Sequence, residues 1–314
     1  MFISGKKCEK GKLFNNMKKE ISIIIVTYNS DHHIFDCIES IFRYNDIGDA
    51  LEIIVVDNMS ESVDKMFDDL LNKFGNNIVL IRNSQNGGYG QGNNIGIRKS
   101  KGKIIMIMNP DVRLIQPIFN EVINHFQDPE VAMLGMVQMV SPVKRGLSFM
   151  SKFGKRPLWE VFETFLFNKI LFYNYKRMYF SGACFLLRKN DFEDIGLFNE
   201  RIFLYGEENY LHDRLLTNKP EKFFVFDRKM KYMHLVDSRM PTVNSVMQTL
   251  DSLIEFYVQK GINVKIATHN QIKYEIKKAL FFKFIRTIKR DEQYVKYYSE
   301  LLSALRERLI KNSI

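Results

Sequence analysis

Residues 21–29 read Ile21-Ser22-Ile23-Ile24-Ile25-Val26-Thr27-Tyr28-Asn29, a β-branched apolar run that stops at polar side chains. The pattern recurs at residues 51–58 and 104–111, and a shorter apolar run covers residues 78–81. Runs that are apolar at successive positions are typical of parallel strands buried on both faces. We therefore predict four strands in the first part of the chain.

Helical segments separate these strands. Residues 31–44, 63–74 and 93–99 are predicted helices, and in the first of them apolar residues recur three or four positions apart. This strand–helix alternation predicts an α/β fold, with a doubly wound, mostly parallel sheet flanked by helices. Ligands of such sheets bind outside the carboxyl ends of the strands, so the polar residues that follow three of these strands are expected on one edge.

Composition limits the class of protein. With 46% apolar and 26% charged residues, the chain of 314 residues is expected to fold. Three scattered cysteines, Cys8, Cys37 and Cys184, do not make a disulfide framework, which favours a reduced, cytoplasmic setting. Residues 1–20 form a basic leader with no apolar signal-peptide run after it. The weakly polar stretch from Val131 to Val140 is far shorter than the roughly 20 residues of a membrane span.

The last segment, residues 241–314, is predicted to be helical and basic. An apolar residue recurs every fourth position at Ile276, Leu280, Phe284 and Ile288. The net charge of the whole chain is +10. Such a charge fits nucleic acid, anionic lipid or phosphate-bearing substrates, and it does not choose among them.

Two aspartates follow predicted strands. Asp111 comes after a proline-stiffened turn and is well placed for a divalent metal, since Mg²⁺ binds one or two protein carboxylates together with phosphate oxygens and water. The alternative is that Asp111 only caps its turn. Asp57 either accepts hydrogen bonds from a nucleoside or likewise caps a turn.

The segment from Asn86 to Gly96 is rich in glycine and asparagine. Its glycines permit positive φ and close backbone approach, and an asparagine-rich helix start can meet a polar or anionic ligand. A flexible surface loop is the alternative. A dinucleotide fingerprint requires such a loop directly after the first strand, so we exclude an NAD site.

Glu207 and Glu208 follow an aromatic run and precede a predicted helix. Adjacent acids in apolar surroundings have a raised pKa, which suits a general base, whereas two solvated acids in a first helical turn are the alternative. His234 follows the apolar and aromatic stretch from Phe223 to Met233. It is either a ligand for metal or phosphate or a structural histidine.

Together these segments resemble the inverting family-2 glycosyltransferases with the GT-A fold, especially the bacterial rhamnosyltransferase-like branch. The resemblance covers roughly residues 20–240. The matching segments, in the family's order, are residues 22–29, 54–60, 86–89 with 93–96, 109–112, 181–184, 195–200, 203–208 and His234. The resemblance implies a GT-A catalytic domain at 21–240, which lies between the basic leader at 1–20 and the basic helical region at 241–314. The domain would consist of a nucleotide-binding half, 21–120, and an acceptor half, 121–240.

The resemblance also implies a role for individual residues. The nucleotide site would comprise Thr27, Tyr28, Asn29, Asp57, Asn58, Ser60, Gly88, Asn94 and Asn109. Gly182 and Ala183 would lie beneath the donor sugar. Asp111 would hold Mg²⁺ or Mn²⁺ on the donor diphosphate, with His234 near the metal. Glu208 occupies the place of the catalytic base.

Two motifs depart from the family pattern. The family has Glu-Asp with another Asp two residues later, whereas this chain has Glu207-Glu208-Asn209-Tyr210, so both glutamates stay candidates for the base. The second acid that normally follows the serine after Asp57 is shifted to Glu61.

The expected function is therefore transfer of a sugar from a nucleotide-sugar donor, with dTDP-rhamnose as the first candidate, to a saccharide acceptor. The acceptor is either free or linked to a lipid diphosphate, and polysaccharide or O-antigen synthesis is the expected setting. We expect the basic tail to contact anionic lipid on the inner face of the cell membrane. A solvated face on packed helices, or a homodimer contact, is the equal alternative.

Three rival functions were compared with this one. A catalytically impaired protein that only binds nucleotide sugars fits the altered acid motif. A basic nucleic-acid-binding protein fits the charge, but it has no need of metal-site carboxylates, so we expect no nucleic-acid partner. A nucleotidyltransferase usually has a Gly-rich, basic loop after the first strand, which residues 27–30 do not offer.

Overall fold

The structure is a computed structural model that describes residues 18–152, 156–235 and 242–312. Most of the predicted basic leader, together with Cys8, lies outside the described residues. The described strands are β1 (Ile21–Thr27), β2 (Leu51–Asp57), β3 (Val79–Arg82), β4 (Ile104–Met108), β5 (Val112–Leu114), β6 (Val131–Ser141), β7 (Lys144–Arg145), β8 (Phe149–Ser151), β9 (Met178–Phe180), β10 (Cys184–Arg188) and β11 (Phe223–His234).

The helices cover both faces of the sheet and form the C-terminal region. They are α1 (Asp31–Arg43), α2 (Val63–Phe74), α3 (Gly88–Lys99), α4 (Phe119–His125), α5 (Pro157–Ile170), α6 (Lys189–Asp194), α7 (Glu207–Asn218), α8 (Val243–Gln259), α9 (Val264–Ile288) and α10 (Glu292–Lys311). The four strands predicted from the apolar runs are β1 to β4, and each lies within one residue of its predicted bounds.

One mixed sheet organises the fold, in the order β3-β2-β1-β4-β10-β6-β11-β5, with β7 paired to β6. β1, β2, β3 and β4 are parallel, so their carboxyl ends share one edge. β10 runs antiparallel to β4 and to β6, while β11 is parallel to β6 and antiparallel to β5. The predicted α/β fold and the C-terminal helical extension are confirmed.

Alternating side chains of β1 explain why the run at residues 21–26 is almost wholly apolar. Ile23 and Ile25 pack into the core between the sheet and α1, α2 and α4. Ile24 points to the opposite face, where it packs with Ile97 of α3 in a second core. Helices α8, α9 and α10 share a third core, so the C-terminal region has an apolar interior of its own.

The glycine-rich segment is helical rather than loop-like, because α3 begins at Gly88, five residues before the predicted start. A Cβ atom on Gly92 would lie 2.8 Å from Val26 Cγ1, and one on Gly96 would lie 2.5 Å from Ile24 Cγ2. The alternative of a flexible surface loop is therefore wrong for residues 88–96. Glycine is needed here because the helix lies so close to the sheet.

Among the helices that the structure describes, none combines the length and the apolarity that a bilayer crossing requires. The stretch from Val131 to Val140 belongs to the buried strand β6.

The contact between α3 and β1 makes a prediction about stability. In Gly96→Ala, the better helix propensity of alanine adds about 1 kcal/mol. The added Cβ would lie 2.5 Å from Ile24 Cγ2, so overpacking costs about 2–3 kcal/mol, the upper part of the usual range. We expect the free energy of unfolding in urea to fall by roughly 1–2 kcal/mol. The control is Lys99→Ala, at an exposed position of the same helix, which should change it by less than about 0.5 kcal/mol. A Gly96→Ala protein as stable as the wild type would contradict the tight packing.

Candidate active site

The site lies where the parallel strands end. Thr27 at the end of β1 is in register with Asp57 at the end of β2, and β4 continues directly into Asn109-Pro110-Asp111. A cavity of about 530 Å³ opens at this edge. Of the residues predicted to bind nucleotide or metal, five line it: Tyr28, Asn58, Gly88, Asn109 and Asp111. Further lining residues include His33, Asn86, Tyr89, Phe203 and Leu204.

Asp57 lies behind the cavity wall, with none of its surface exposed. Its Oδ2 accepts hydrogen bonds from Thr27 Oγ1 at 3.0 Å and from Ser60 Oγ at 2.5 Å, and its Oδ1 accepts from the backbone N–H of Ser60 at 2.8 Å. The backbone N–H of Asn29 in turn donates to Ser60 Oγ at 2.7 Å. These four predicted nucleotide-site residues therefore form one buried network that joins the loops after β1 and β2.

Asn58 connects that network to the start of α3. Its Nδ2 donates to the Gly88 carbonyl at 2.9 Å, and its Oδ1 accepts from Asn83 Nδ2 at 3.0 Å. Gly88 has a φ of 86°, and a Cβ atom there would lie 2.0 Å from the Phe203 carbonyl oxygen. Only glycine fits this position, because the loop at residue 203 closes directly against the helix start.

Asn94 contacts a different part of the protein. It is buried, its Nδ2 donates to the Phe198 carbonyl at 3.0 Å and to Glu200 Oε1 at 2.8 Å, and its Oδ1 accepts from the Phe198 N–H at 3.0 Å. It thus holds the loop at residues 198–200 against α3, and the structure does not bring it to the cavity lining.

Asp111 and His234 come together although 123 positions separate them in the chain. β11 pairs with β5 so that His234 is opposite Val112, which brings His234 Nε2 to 3.2 Å from Asp111 Oδ2. The other two polar atoms, Asp111 Oδ1 and His234 Nδ1, are buried without a hydrogen-bond partner in the part of the chain that the structure describes. A buried carboxylate oxygen with no protein partner fits a divalent-metal site, because carboxylate oxygen is the protein ligand that Mg²⁺ and Mn²⁺ prefer.

Glu207 and Glu208 occupy the first turn of α7. The Glu207 side chain is only 2% exposed, and its Oε1 has no hydrogen-bond partner among the described residues. Burial, together with the neighbouring Glu208 carboxylate, raises the pKa of Glu207 to about 9. Burial also raises the pKa of Glu208. Glu207 therefore favours its neutral, protonated form near neutral pH.

Gly182 places Glu208 next to the cavity. A Cβ atom on Gly182 would lie 1.7 Å from Glu208 Oε1, so this carboxylate position requires glycine. The cavity residue Tyr89 donates its hydroxyl proton to the Gly182 carbonyl at 2.8 Å. The next residue, Ala183, accepts from the Asn109 N–H at 2.9 Å. The two predicted donor-sugar residues therefore lie between the acid pair and the loop that carries Asp111.

A second group of side chains that could hold a metal ion lies elsewhere, and the sequence analysis missed it. His125 Nε2 is 2.9 Å from Asp227 Oδ2 and 3.8 Å from Glu121 Oε1. Glu121 and His125 are one turn apart on α4, but Asp227 joins them from β11, 102 positions later, and no local spacing reveals that contact. His33 was also missed, although its place in the first turn after β1 is a signal that points to the same edge.

Comparison with known proteins identifies the class to which this fold and site belong. Residues 22–196 match the family model "Glycosyl transferase family 2". Because this match covers more than half of the chain, the protein belongs to glycosyl transferase family 2.

Two curated relatives show where the similarity lies. The low-salt glycan biosynthesis hexosyltransferase Agl10 of Haloferax volcanii is 29% identical over 213 residues, which are 63% of this chain and 62% of that protein. The poly(ribitol-phosphate) β-glucosyltransferase of Bacillus spizizenii is 34% identical over 96 residues, 29% of this chain and 15% of that protein. The chain thus spans less than two thirds of the length of either relative.

Solved structures show the same fold at low identity. The mannosyltransferase PcManGT from Pyrobaculum calidifontis, in complex with GDP-Man and Mn²⁺, has a TM-score of 0.61 at 12% identity, covering 95% of this chain and 88% of that one. S. aureus TarS 1–349 in complex with UDP has a TM-score of 0.52 at 13% identity, covering 93% and 88% of the two chains. The sheet and its helices therefore have the GT-A fold.

The acid pair makes stability depend on pH. Because burial raises the pKa of Glu207 from 4.5 to about 9, the folded state favours its neutral form. Neutral Glu207 contributes its full stabilisation of the fold below the pKa that Glu207 has in the unfolded chain. This contribution is lost as the pH rises through the pKa of Glu207 in the folded protein. We expect the free energy of unfolding to fall between about pH 5 and pH 9, and to fall less in Glu207→Gln, when urea unfolding is compared at pH 5, 7 and 9.

The matched control is Glu300→Gln, at an exposed position of α10, which should follow the wild-type curve. Parallel curves for Glu207→Gln and the wild type would show that Glu207 is not held neutral by the fold.

Proposed function

We propose that this protein is a metal-dependent, inverting glycosyltransferase that moves a sugar from a nucleoside-diphosphate donor to a saccharide hydroxyl. The observation that carries the proposal is the Asp111–His234 pair with its unpartnered buried oxygen, since Asp111 lines the cavity. Another lining residue, Tyr89, donates to the Gly182 carbonyl, and Glu208 lies against Gly182. Membership of glycosyl transferase family 2 supports the reaction class.

The cavity supplies the groups that a nucleotide needs. Tyr28 is 52% exposed at the cavity mouth, and an aromatic ring in that position can stack on a nucleobase. Asn58 and Asn109 offer polar groups on the adjacent walls. Mg²⁺ or Mn²⁺, when bound by Asp111 with His234 beside it, would offset the negative charge that develops on the departing nucleoside diphosphate.

Glu208 is the proposed base. Its Oε1 faces Gly182 at the inner end of the site, whereas Glu207 is buried and is the member of the pair that keeps its proton. The Glu208 carboxylate takes the proton of the acceptor hydroxyl while that oxygen bonds to the anomeric carbon. At the same time the bond from the anomeric carbon to the diphosphate breaks. Attack from the face opposite the leaving group inverts the anomeric centre.

The finer assignments stay predictions. dTDP-rhamnose is the donor that the sequence resemblance favours. The similar proteins include a hexosyltransferase and a glucosyltransferase, and the similar structures contain GDP-Man or UDP. We therefore propose a donor panel that includes dTDP, UDP and GDP compounds. The lipid-linked acceptor, the place in polysaccharide synthesis and the bounds of the catalytic domain are proposed on the resemblance. The cytoplasmic setting is proposed on the few, scattered cysteines.

Nucleotide binding should depend on Asp111. At a ligand concentration about 100-fold above Kd, binding stabilises a protein by about 2.7 kcal/mol, so the melting temperature should rise by several degrees. We expect one member of the panel to raise it with Mn²⁺ or Mg²⁺ but not with EDTA. Asp111→Asn should remove the metal-dependent part of this rise, because it removes the charged ligand.

The control for this measurement is Asp68→Asn, an exposed position of α2 that should behave as the wild type. Unchanged melting temperatures across the whole panel would overturn the proposed donor site and would favour a role for the basic surface instead.

The two glutamates should differ in their effect on turnover. Glu208→Gln should lower kcat about 10²- to 10⁴-fold, the usual contribution of a general base, while the nucleotide-induced thermal shift persists. Glu207→Gln replaces a protonated carboxyl by a group of similar shape and should lower kcat less than about tenfold. The measurement is nucleoside-diphosphate release from the donor that the panel identifies.

The reverse pattern would make Glu207 the base. Wild-type protein that binds the donor but releases no diphosphate with any acceptor would favour the impaired, binding-only alternative.

A further inference from the structure

Helix α5 has its polar side chains inside and its apolar side chains outside. Glu163, Thr164 and Asn168 are buried. Trp159, Phe162 and Phe165 are each more than half exposed, and so is Ile170. With 100° of rotation per residue, the exposed apolar residues and Lys169 occupy one arc of ~140°, so they form a continuous face of the helix.

The buried polar residues show that this orientation is built into the fold. Asn168 Oδ1 accepts from the Ser148 N–H at 2.7 Å, and Asn168 Nδ2 donates to the Phe149 carbonyl at 2.8 Å. Thr164 Oγ1 accepts from the Ser151 N–H at 3.0 Å. These side chains pair with backbone groups of residues 148–151. A helix rotated to bury its apolar face would leave those backbone groups without their hydrogen-bond partners.

Charge around this face is positive. The segment from Arg156 to Arg177 carries four basic and two acidic residues. Both acids have partners within the protein, since Glu160 accepts from Tyr274 Oη at 2.5 Å and Glu163 pairs with Arg177 at 2.7 Å. Arg156 and Lys169 are exposed at the two ends of the helix, and Lys176 is exposed in the segment that follows it.

We propose that α5 is a docking helix for an anionic lipid surface, with Trp159, Phe162 and Phe165 entering the interface between headgroups and acyl chains. Aromatic and aliphatic side chains on one face, with lysine and arginine beside them, are the chemistry of a helix that lies in that interface. Negative headgroups attract the surrounding basic residues. A second copy of this chain fits less well, because a two-fold contact would bring the same positive charges together.

The helix is also connected to the proposed donor site. Asn168 holds the Ser148 N–H, and the Ser148 carbonyl accepts from the Ser181 N–H at 2.9 Å, one residue before Gly182. The docking face is therefore braced to the wall beside Glu208. If the protein is the proposed glycosyltransferase, docking through α5 would hold the donor site close to a membrane-held acceptor; this consequence rests on the proposed function, whereas docking itself does not.

The test uses the full chain and its own fluorescence, because Trp159 is the single tryptophan of the sequence. Vesicles of phosphatidylcholine with 30% phosphatidylglycerol should shift its emission to shorter wavelength and should carry the protein upward in flotation. Brominated acyl chains should quench the emission. Pure phosphatidylcholine, or high salt with the anionic vesicles, should reduce the floated fraction at least several-fold, because screening weakens the attraction.

A variant locates the contact on α5. Phe162→Ser with Phe165→Ser changes two exposed positions and should lower the floated fraction at least tenfold while the nucleotide-induced thermal shift persists. Val143→Ser, 94% exposed on another part of the surface, is the matched control and should float as the wild type.

Three results would overturn the proposal. One is unchanged emission with no flotation on anionic vesicles, and another is wild-type flotation by the double variant. The third is a vesicle-independent emission shift that grows with protein concentration together with a dimer in size-exclusion chromatography, which would assign the face to a second copy. A failed donor panel with intact vesicle binding would reject the proposed function and leave the docking helix standing.

Discussion

A buried carboxylate between two strand ends is the constraint on which the site depends. Asp57 has no exposed surface and accepts three hydrogen bonds from Thr27 and Ser60. A buried charge is costly unless it is fully hydrogen-bonded, so this network fixes the loops after β1 and β2 relative to each other. Asn29 joins it through its backbone N–H, and Asn58, which lines the cavity, reaches the start of α3. The geometry of the nucleotide end of the cavity follows from these contacts.

The sequence predicted what local patterns control. β1 to β4 are nearly continuous apolar runs, and the parallel arrangement of such runs put the residues after Thr27, Asp57 and Met108 on one edge, where the cavity lies. The C-terminal helices were predicted from apolar spacing, and three of them share a core. The role of each site residue came from the family resemblance, and the structure adds where each side chain lies rather than what it does.

Local sequence patterns could not predict the contacts between segments that lie far apart in the chain. Asp227 joins Glu121 and His125 only because β11 lies beside the end of α4. Asn94 is in the motif predicted for the nucleotide, yet its hydrogen bonds go to Phe198 and Glu200, more than 100 positions later. The orientation of α5 was likewise unpredictable, since residue type alone does not tell which face of a helix will hydrogen-bond to the backbone of a neighbouring strand.

The cavity has one wall that tolerates no change and one that does. On the α3 side, glycines stand where a methyl group would meet backbone or buried side chains, at Gly88 against Phe203 and at Gly92 against Val26. Beside the start of α3, Phe203 and Leu204 line the cavity from a loop, and the Phe203 side chain is partly exposed. A smaller side chain at Phe203 or Leu204 would therefore widen the cavity without touching the close packing of α3 on β1.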